Sequence, residues 1–343
     1  MKKVGILYGG KSAEHEISLL SAKNIFDAID RSLFDPAMIK IEKSGQWQMD
    51  IVSQFDVIFP VLHGPFGEDG TIQGLLKLAD IPFVGADVLG SAAGMDKDVM
   101  KRLLRDAQIP IGKFMVVKRH EQMPSFAYVE KALASEGSRD SPVFIKPANM
   151  GSSVGISKVS NETDFTSALK KAFLYDTKVI IEEFIPGREI ECAVLGNEEV
   201  AASVPGEIIP SHDFYSYDAK YIDDKGAALQ IPAKLDDETT KRIKELAVKV
   251  FQVLCCEGLS RVDFFLKENL SAQQPLSAQQ PLSAKQPEII VNEINTMPGF
   301  TKISMYPKMW EASGIRYTAL ITRLIELAIN RFERNRQLKT SVV

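Results

Sequence analysis

The sequence predicts an α/β fold that opens with a parallel-sheet domain. Strand and helix signals alternate through the first third of the chain, and glycine-rich loops follow the strands. That is the pattern of a parallel sheet with functional loops at the strand C-terminal ends. The 343 residues also exceed one ordinary domain and suit two or three of roughly 150 residues each.

The elements follow in order. Residues 4–8 read as the first strand and end at Gly9-Gly10. Residues 14–29 carry Ile17, Leu20, Ile25 and Ile29 on one helical side. Residues 57–62 form a second strong strand that stops at His63-Gly64. The loop to Gly70 then leads into an apolar helix through Leu78. A helix over 96–107 places Val99, Leu103 and Ala107 on one side, and Ile109-Pro110 ends it. Strand-like segments at 114–117, 143–146 and 179–183 surround a helix near 165–173. A third region begins near Pro186-Gly187, holds a helix over 239–254 and closes with an amphipathic helix over 319–332. The expected segments are 1–95, 96–186 and 187–335.

Composition narrows the function. Hydrophobic residues make up 45% and charged residues 25%, which is ordinary for a globular protein. A net charge of −4 gives no reason to expect nucleic acid or an anionic membrane as partner. No apolar run approaches the ~18 residues of a membrane span. The start, Met-Lys-Lys and a short apolar run, reads as a strand rather than a signal peptide. Cys192, Cys255 and Cys256 make neither a disulfide framework nor a zinc pattern, and fit reduced residues of a cytoplasmic protein.

Residues 270–287 read LSAQQP, LSAQQP, LSAKQP. Recurring proline bars this repeat from a central strand. It is expected to be an exposed hairpin loop.

Three stretches carry candidate chemistry. Residues 291–299 read as an apolar strand ending in Glu293-Ile294-Asn295, then a Pro-Gly turn. Residues i and i+2 of a strand share a side, so Glu293 and Asn295 offer two hard oxygens to one place. Asp263, on an expected strand over 261–265, adds a third. Such ligands suit Mg²⁺ or Mn²⁺ held together with phosphates. Two strand ends with surface polar groups are the plain alternative. The second stretch is Lys146-Pro-Ala-Asn-Met-Gly-Ser152-Ser153-Val-Gly155. A lysine after an apolar strand, then amides and hydroxyls of a Gly-Ser loop, can cradle phosphate. A flexible turn beside a surface lysine would read the same. The third, Glu182-Glu183-Phe184-Ile185-Pro-Gly, ends a buried strand. Its backbone suits adenine and Glu189 suits ribose hydroxyls, against the alternative of an edge strand with solvated acids. Residues 5–12 match G-x-x-x-x-G-K-S, but the first glycine falls inside a strand, so a phosphate-loop NTPase is only an alternative.

Together these residues resemble the ATP-grasp superfamily, and closely the D-alanine–D-alanine ligase family. The resemblance runs through seven motifs in order: residues 9–18, 63–70, 95–97, 146–155, 218–221, 261–263 and 293–304. It implies a three-domain ATP-grasp fold with an N-terminal parallel α/β domain and ATP held between the second and third domains. It further implies two Mg²⁺ (or Mn²⁺) ions on Asp263, Glu293 and Asn295, and a cytoplasmic homodimer serving peptidoglycan synthesis. The implied reaction joins two D-alanines through a D-alanyl phosphate, releasing ADP and phosphate. Lys97, Lys146 and Lys220 would add positive charge near the phosphates. Glu14 would hold the first D-alanine ammonium, with Ser18 in the same motif and His63 near the carboxylate. Arg261 and the amide of Gly299 would stabilise the oxyanion, and Ser304 would receive the second D-alanine carboxylate. Ser152 and Tyr221 would hydrogen-bond toward Glu14 and latch a lid over 210–231. Without the resemblance, Glu14 and Ser18 read equally as a helix start, His63 as a loop histidine and Tyr221 as loop packing. A D-alanine–D-lactate ligase, a glutathione-synthetase-like ligase and a non-catalytic nucleotide binder are the rivals. Tyr221, within Asp-Ala-Lys-Tyr, favours the dipeptide product.

Overall fold

The computed structural model describes residues 1–134, 141–210, 227–267 and 286–339. Three sheets organise them. Strands β1 (Lys2–Gly9), β2 (Phe34–Ile41) and β3 (Val57–Val61) pair in parallel in the order β2-β1-β3. Both faces are covered, as a parallel sheet requires. On one, Val4 and Ile6 pack with Ala22 and Ile25 of α1 (His15–Ala28). On the other, Leu7 and Ile58 pack with Ile72 and Leu76 of α2 (Thr71–Leu78). Gly5 lies inside β1, opposite Ala37 and Ile58, where a phosphate-loop glycine cannot be. Leu20 departs from the expected apolar side of α1 and is exposed, while Ile17, Ile25 and Ile29 are buried.

Helices α3 (Val88–Met95) and α4 (Lys97–Asp106) follow. Asp96 caps α4 by accepting from the amides of Asp98 and Val99, both at 3.1 Å. The buried side of α4 is not the one the sequence spacing suggests. Val99 and Leu103 are exposed, whereas Met100 and Leu104 are buried together with Lys97 and Lys101. Apolar residues occupy both sides of this helix, and the two lysines make the inward side look polar.

The middle sheet is antiparallel. It contains β4 (Phe114–Lys118), β5 (Val143–Pro147), β6 (Ser157–Val159) and β7 (Lys178–Glu183), in the order β4-β7-β5-β6. Helices α5 (Phe126–Leu133) and α6 (Glu162–Ala172) share a core with Val143, Ile145, Val179 and Ile181.

The largest sheet follows. It comprises β8 (Arg188–Gly196), β9 (Ala201–Ala202), β10 (Gly206–Pro210), β11 (Ala227–Gln230), β12 (Gly258–Lys267) and β13 (Glu288–Asn295). Its order is β11-β10-β8-β12-β13, with β9 paired to β8. One face packs with α7 (Asp237–Val253) and with Met100 and Leu104 of α4. The other meets α8 (Met305–Ala312) and α9 (Tyr317–Arg336) in a core continuous with Val4, Ile6 and Phe59 of the first sheet.

One irregularity orients the candidate metal strand. Asp263 pairs with Glu293, but Phe264 pairs with Val291, so Asn292 is an extra residue in a β-bulge. Before it, Ile289 and Val291 face the core; after it, Ile294 does. The bulge shifts the alternation by one. Glu293 and Asn295 therefore share the open face with Arg261 and Asp263 instead of following Val291 inward. Most of the expected lid, residues 211–226 with Lys220 and Tyr221, lies outside the described residues, as do 270–285 of the repeat.

Candidate active site

The phosphate-side candidates form around β5 and β7. Lys146 Nζ lies 2.5 Å from Glu182 Oε2, and Lys101 Nζ lies 2.7 Å from Glu182 Oε1. Burial pushes the Glu182 carboxyl up, but the two lysines outweigh it and hold it down to about 2. Burial likewise works against the charge on Lys146, and Glu182 with Glu293 reverses it, so its pKa is raised. Glu182 is expected at the nucleotide, and its side chain here is the counter-ion of two lysines, because strand alternation turns it toward Lys146 on β5. Lys101 was not foreseen; its signal was the i, i+4 spacing from Lys97, which stacks two lysines on one helix side.

The expected adenine segment is partly committed elsewhere. Strand β7 pairs with β4 and β5 on both edges through Glu182, and Glu183 Oε1 accepts from the Lys113 amide at 2.7 Å. Beyond the strand lie Phe184 and Ile185, both half-buried. Lys158 lies over the Phe184 ring at 4.6 Å. Glu189, on β8, is half-buried too.

The loop after β5 is held at its base. Asp176 Oδ2 accepts from Asn149 N at 2.8 Å and from its Nδ2 at 2.9 Å. Lys97 N donates to Ala148 O at 3.0 Å, and Lys97 Nζ to Met150 O at 2.8 Å. The same ammonium is 3.7 Å from Glu293 Oε2, so Lys97 joins the loop to the metal strand. Ser152 and Ser153 have φ of 51° and 62°, the left-handed region that non-glycine residues enter at a cost. Ser152 Oγ donates to Glu14 Oε1.

The amino-acid side lies between the first and third sheets. Glu14 is the α1 cap residue but makes no side-chain cap bond, which removes the plain helix-start reading. It is buried beside Gly64 and Gly151, where an added Cβ would stand 2.9 and 3.1 Å from its carboxylate. His63 Nδ1 is 3.0 Å from Met297 O, while Nε2 is buried without a hydrogen-bond partner among the described residues. Burial lowers its pKa, against the opposing pull of Glu14 and of the Met297 carbonyl. Glu68 accepts from Gly64 N at 2.8 Å and Met297 N at 3.1 Å. Burial first, and the Glu14 charge second, push Glu68 up to about 8. Nothing in the sequence singled out Glu68 within its motif. Ser18 departs from the expected substrate role. It is fully buried, accepts from Gly9 N at 2.8 Å and donates to Val61 O, so it braces β1 against β3.

Across the turn, Gly299 and Ser304 touch. A Cβ on Gly299 would meet Ser304 Oγ at 2.8 Å, which is why glycine stands there. Ser304 Oγ also accepts from Thr301 N at 2.9 Å. Arg261 grips Asp263 with Nε and Nη2, each at 2.7 Å, and Nε is 3.0 Å from Glu191. Burial lowers the guanidinium pKa, and Asp263 and then Glu191 outweigh it, so it stays charged. Asn295 Nδ2 donates to Asp263 Oδ2 at 3.0 Å. Asp263, Glu293 and the Asn295 amide offer hard oxygens on one sheet face. Their charge is met here by Arg261 and Lys97, so this donor set fits a divalent cation that would take over part of that role.

Two family models match the chain. The D-ala D-ala ligase N-terminus model matches residues 3–53 and 48–86, and the D-ala D-ala ligase C-terminus model matches 103–273 and 282–326. D-alanine–D-alanine ligase of Oceanobacillus iheyensis is 48% identical, covering 99% of this chain and 98% of that protein. Ligase A of Escherichia coli K12 is 47% identical over 99% of each chain. The D-alanine-D-alanine ligase structure from Coxiella burnetii matches with a TM-score of 0.81 at 35% identity, covering 98% of this chain and 96% of that one. The VanG D-Ala:D-Ser ligase of Enterococcus faecalis gives 0.79 at 36% identity, covering 95% and 99%. The Bacillus anthracis D-alanine–D-alanine ligase complexed with ATP gives 0.78 at 25% identity, covering 98% and 100%.

Proposed function

The chain belongs to the D-alanine–D-alanine ligase family, and from that premise we propose how its own residues carry out ATP-dependent ligation. The product is D-alanyl-D-alanine for peptidoglycan synthesis, made by a cytoplasmic homodimer. Among the described residues no helix is long and apolar enough to cross a membrane, which agrees with a reaction on small polar substrates.

One observation carries the reading: Lys97 touches both the phosphate loop and the metal strand. A phosphate between Lys146 and Glu293 therefore lies within reach of two cations, Lys146 of β5 and Lys97 of α4. Transfer of a phosphoryl group onto a carboxylate depends on positioning and charge neutralisation. Lys97, Lys146 and Lys220 neutralise the phosphates, while amides and hydroxyls at Ser152 and Ser153 orient them. Phe184 and Ile185 supply backbone to adenine, and Glu183 and Glu189 flank the nucleotide. Asp263, Glu293 and Asn295 would hold two Mg²⁺ or Mn²⁺ ions, with Asn295 turning its amide to present oxygen. When bound, such ions would supply positive charge that offsets the charge of the phosphates.

The first D-alanine lies with its ammonium at Glu14 and its carboxylate near His63 Nε2. That carboxylate attacks the γ-phosphate and becomes the acyl phosphate, and ADP is released. The amine of the second D-alanine, its carboxylate held at Ser304, attacks the acyl carbon. Arg261 and the Gly299 amide stabilise the oxyanion, and phosphate leaves. Tyr221, through Ser152 and Glu14, latches the lid over 210–231 and keeps water from the acyl phosphate.

The test is ADP release from Mg-ATP with D-alanine alone, and with D-alanine plus D-serine or D-lactate, the products identified by mass. D-Alanyl-D-alanine as the main product in every mixture is expected. A mixed dipeptide or depsipeptide in preference moves the acceptor assignment. ATP binding without ADP release in any mixture contradicts the ligase reading.

A further inference from the structure

We propose that Glu191 is a positioning residue that keeps Arg261 in place when Asp263 is committed to a metal ion. The inference rests on the ligase reading above. Strand register aligns Glu191 of β8, Asp263 of β12 and Glu293 of β13 in one cross-strand row. Adjacent like charges in such a row repel, and Glu191 is only 5% exposed, so solvent does little to relieve it. The guanidinium of Arg261 lies against two of the three. It gives Asp263 two hydrogen bonds of 2.7 Å and approaches Glu191 at 3.0 Å. Two carboxylates thus share one guanidinium.

That sharing has a consequence for the order of events. A divalent cation on Asp263 replaces the charge that Arg261 supplies there. Nη2, now given to Asp263 Oδ2, becomes available to an oxyanion. An arginine released from its only anchor would lose its aim, because its long side chain has many rotamers. Glu191, buried on the neighbouring strand, retains it. It also competes with Asp263 for the guanidinium, so it lowers the hold of Arg261 on the metal-binding carboxylate. Glu191 therefore serves both metal entry and oxyanion alignment without touching substrate.

The experiment compares the full-length wild type with Glu191→Gln, Glu191→Asp, Arg261→Lys and the Glu191→Gln/Arg261→Lys double variant. Turnover is one readout. The other is the midpoint for Mn²⁺ binding to the ADP-saturated protein, followed by the electron paramagnetic resonance of free Mn²⁺. For Glu191→Gln, kcat falls about tenfold or more, KM values stay within about threefold, and the Mn²⁺ midpoint rises about threefold or more. Glu191→Asp, which keeps the charge, recovers part of each loss. The double variant is no slower than Arg261→Lys alone, because both act through one guanidinium. An unchanged Mn²⁺ midpoint, or rate losses that multiply in the double variant, overturns the proposal. Should Glu191→Gln fail to fold, by circular dichroism, Glu191→Asp takes its place in the same cycle, with rate losses that do not multiply expected and multiplying losses overturning the proposal. The Mn²⁺ readout needs no turnover, so it fails independently of the ligase reading, which wild-type product formation tests by itself.

Discussion

Two buried charge clusters of this protein, those around Glu182 and Arg261, are unbalanced in opposite directions. Around Glu182, two ammonium groups face one carboxylate. Around Arg261, one guanidinium faces Asp263 and Glu191, with Glu293 in the same row. The first is arranged to welcome an anion and the second a cation, and Lys97 stands where they meet. On the reading proposed above, a nucleotide with its metal would supply both missing charges at once. The pair of imbalances is thus a more specific signature than either cluster.

Breaking the acid-rich cluster has the largest expected effect. Arg261→Met removes the guanidinium from the oxyanion and leaves two acids uncompensated. kcat should fall about 10²–10³-fold with little change in KM for ATP, measured by coupled ADP release. Breaking the cation-rich cluster comes next. Lys101→Met leaves Lys146 as the only ion-pair partner of Glu182 among the described residues, drawing that ammonium away from the proposed phosphate position. KM for ATP should rise about tenfold, with stability lower by about 3 kcal/mol in urea unfolding, because a buried pair loses one member.

A smaller effect separates the clusters from the junction between the first and third sheets. Glu68 has a folded pKa raised to about 8 from 4.5. The folded state then binds more protons than the unfolded one between those values. Its contribution is fully present below about pH 4.5 and is lost as pH rises through about 8. Glu68→Gln should flatten that part of the stability curve, read as melting temperature from pH 5 to 8.5. A wild-type curve that rises over this range would argue for an ionised Glu68. The smallest effect is at the phosphate loop. Ser153→Gly relieves a left-handed backbone and should stabilise by about 0.5–1 kcal/mol in thermal unfolding.

Much of the site's chemistry could be read before its geometry. Glu293, Asn295 and Asp263 stand out because acids and amides end apolar strands, and the pairing of those strands follows from two β-runs with a loop between them. The bulge at Asn292 left no such trace. A period-2 reading of 289–295 sends Glu293 inward with Val291, and only tertiary packing chooses otherwise. Helix α4 misled for a related reason. Its exposed Val99 and Leu103 outscored the inward Met100, Lys101 and Leu104, since hydrophobicity patterns treat a buried lysine as solvent-facing. Glu182 and Ser18 are expected at the ligands, and the protein partners that their side chains find, two lysines and the backbone of β1 and β3, are not encoded in a single strand or helix pattern. The shared core of the first and third sheets depends on side chains more than a hundred residues apart, such as Val61 and Ala193, beyond any local signal.

The direct test of the opposed clusters is the coupling between nucleotide and metal. Mn²⁺ is titrated into the protein with and without saturating ADP, and ADP is titrated with and without Mn²⁺. Because each ligand supplies the charge that the other's cluster lacks, each should tighten the other by the same factor, about tenfold or more. Lys97→Met should reduce that factor more than it reduces either affinity alone. Independent binding, with no coupling in either direction, would contradict the account.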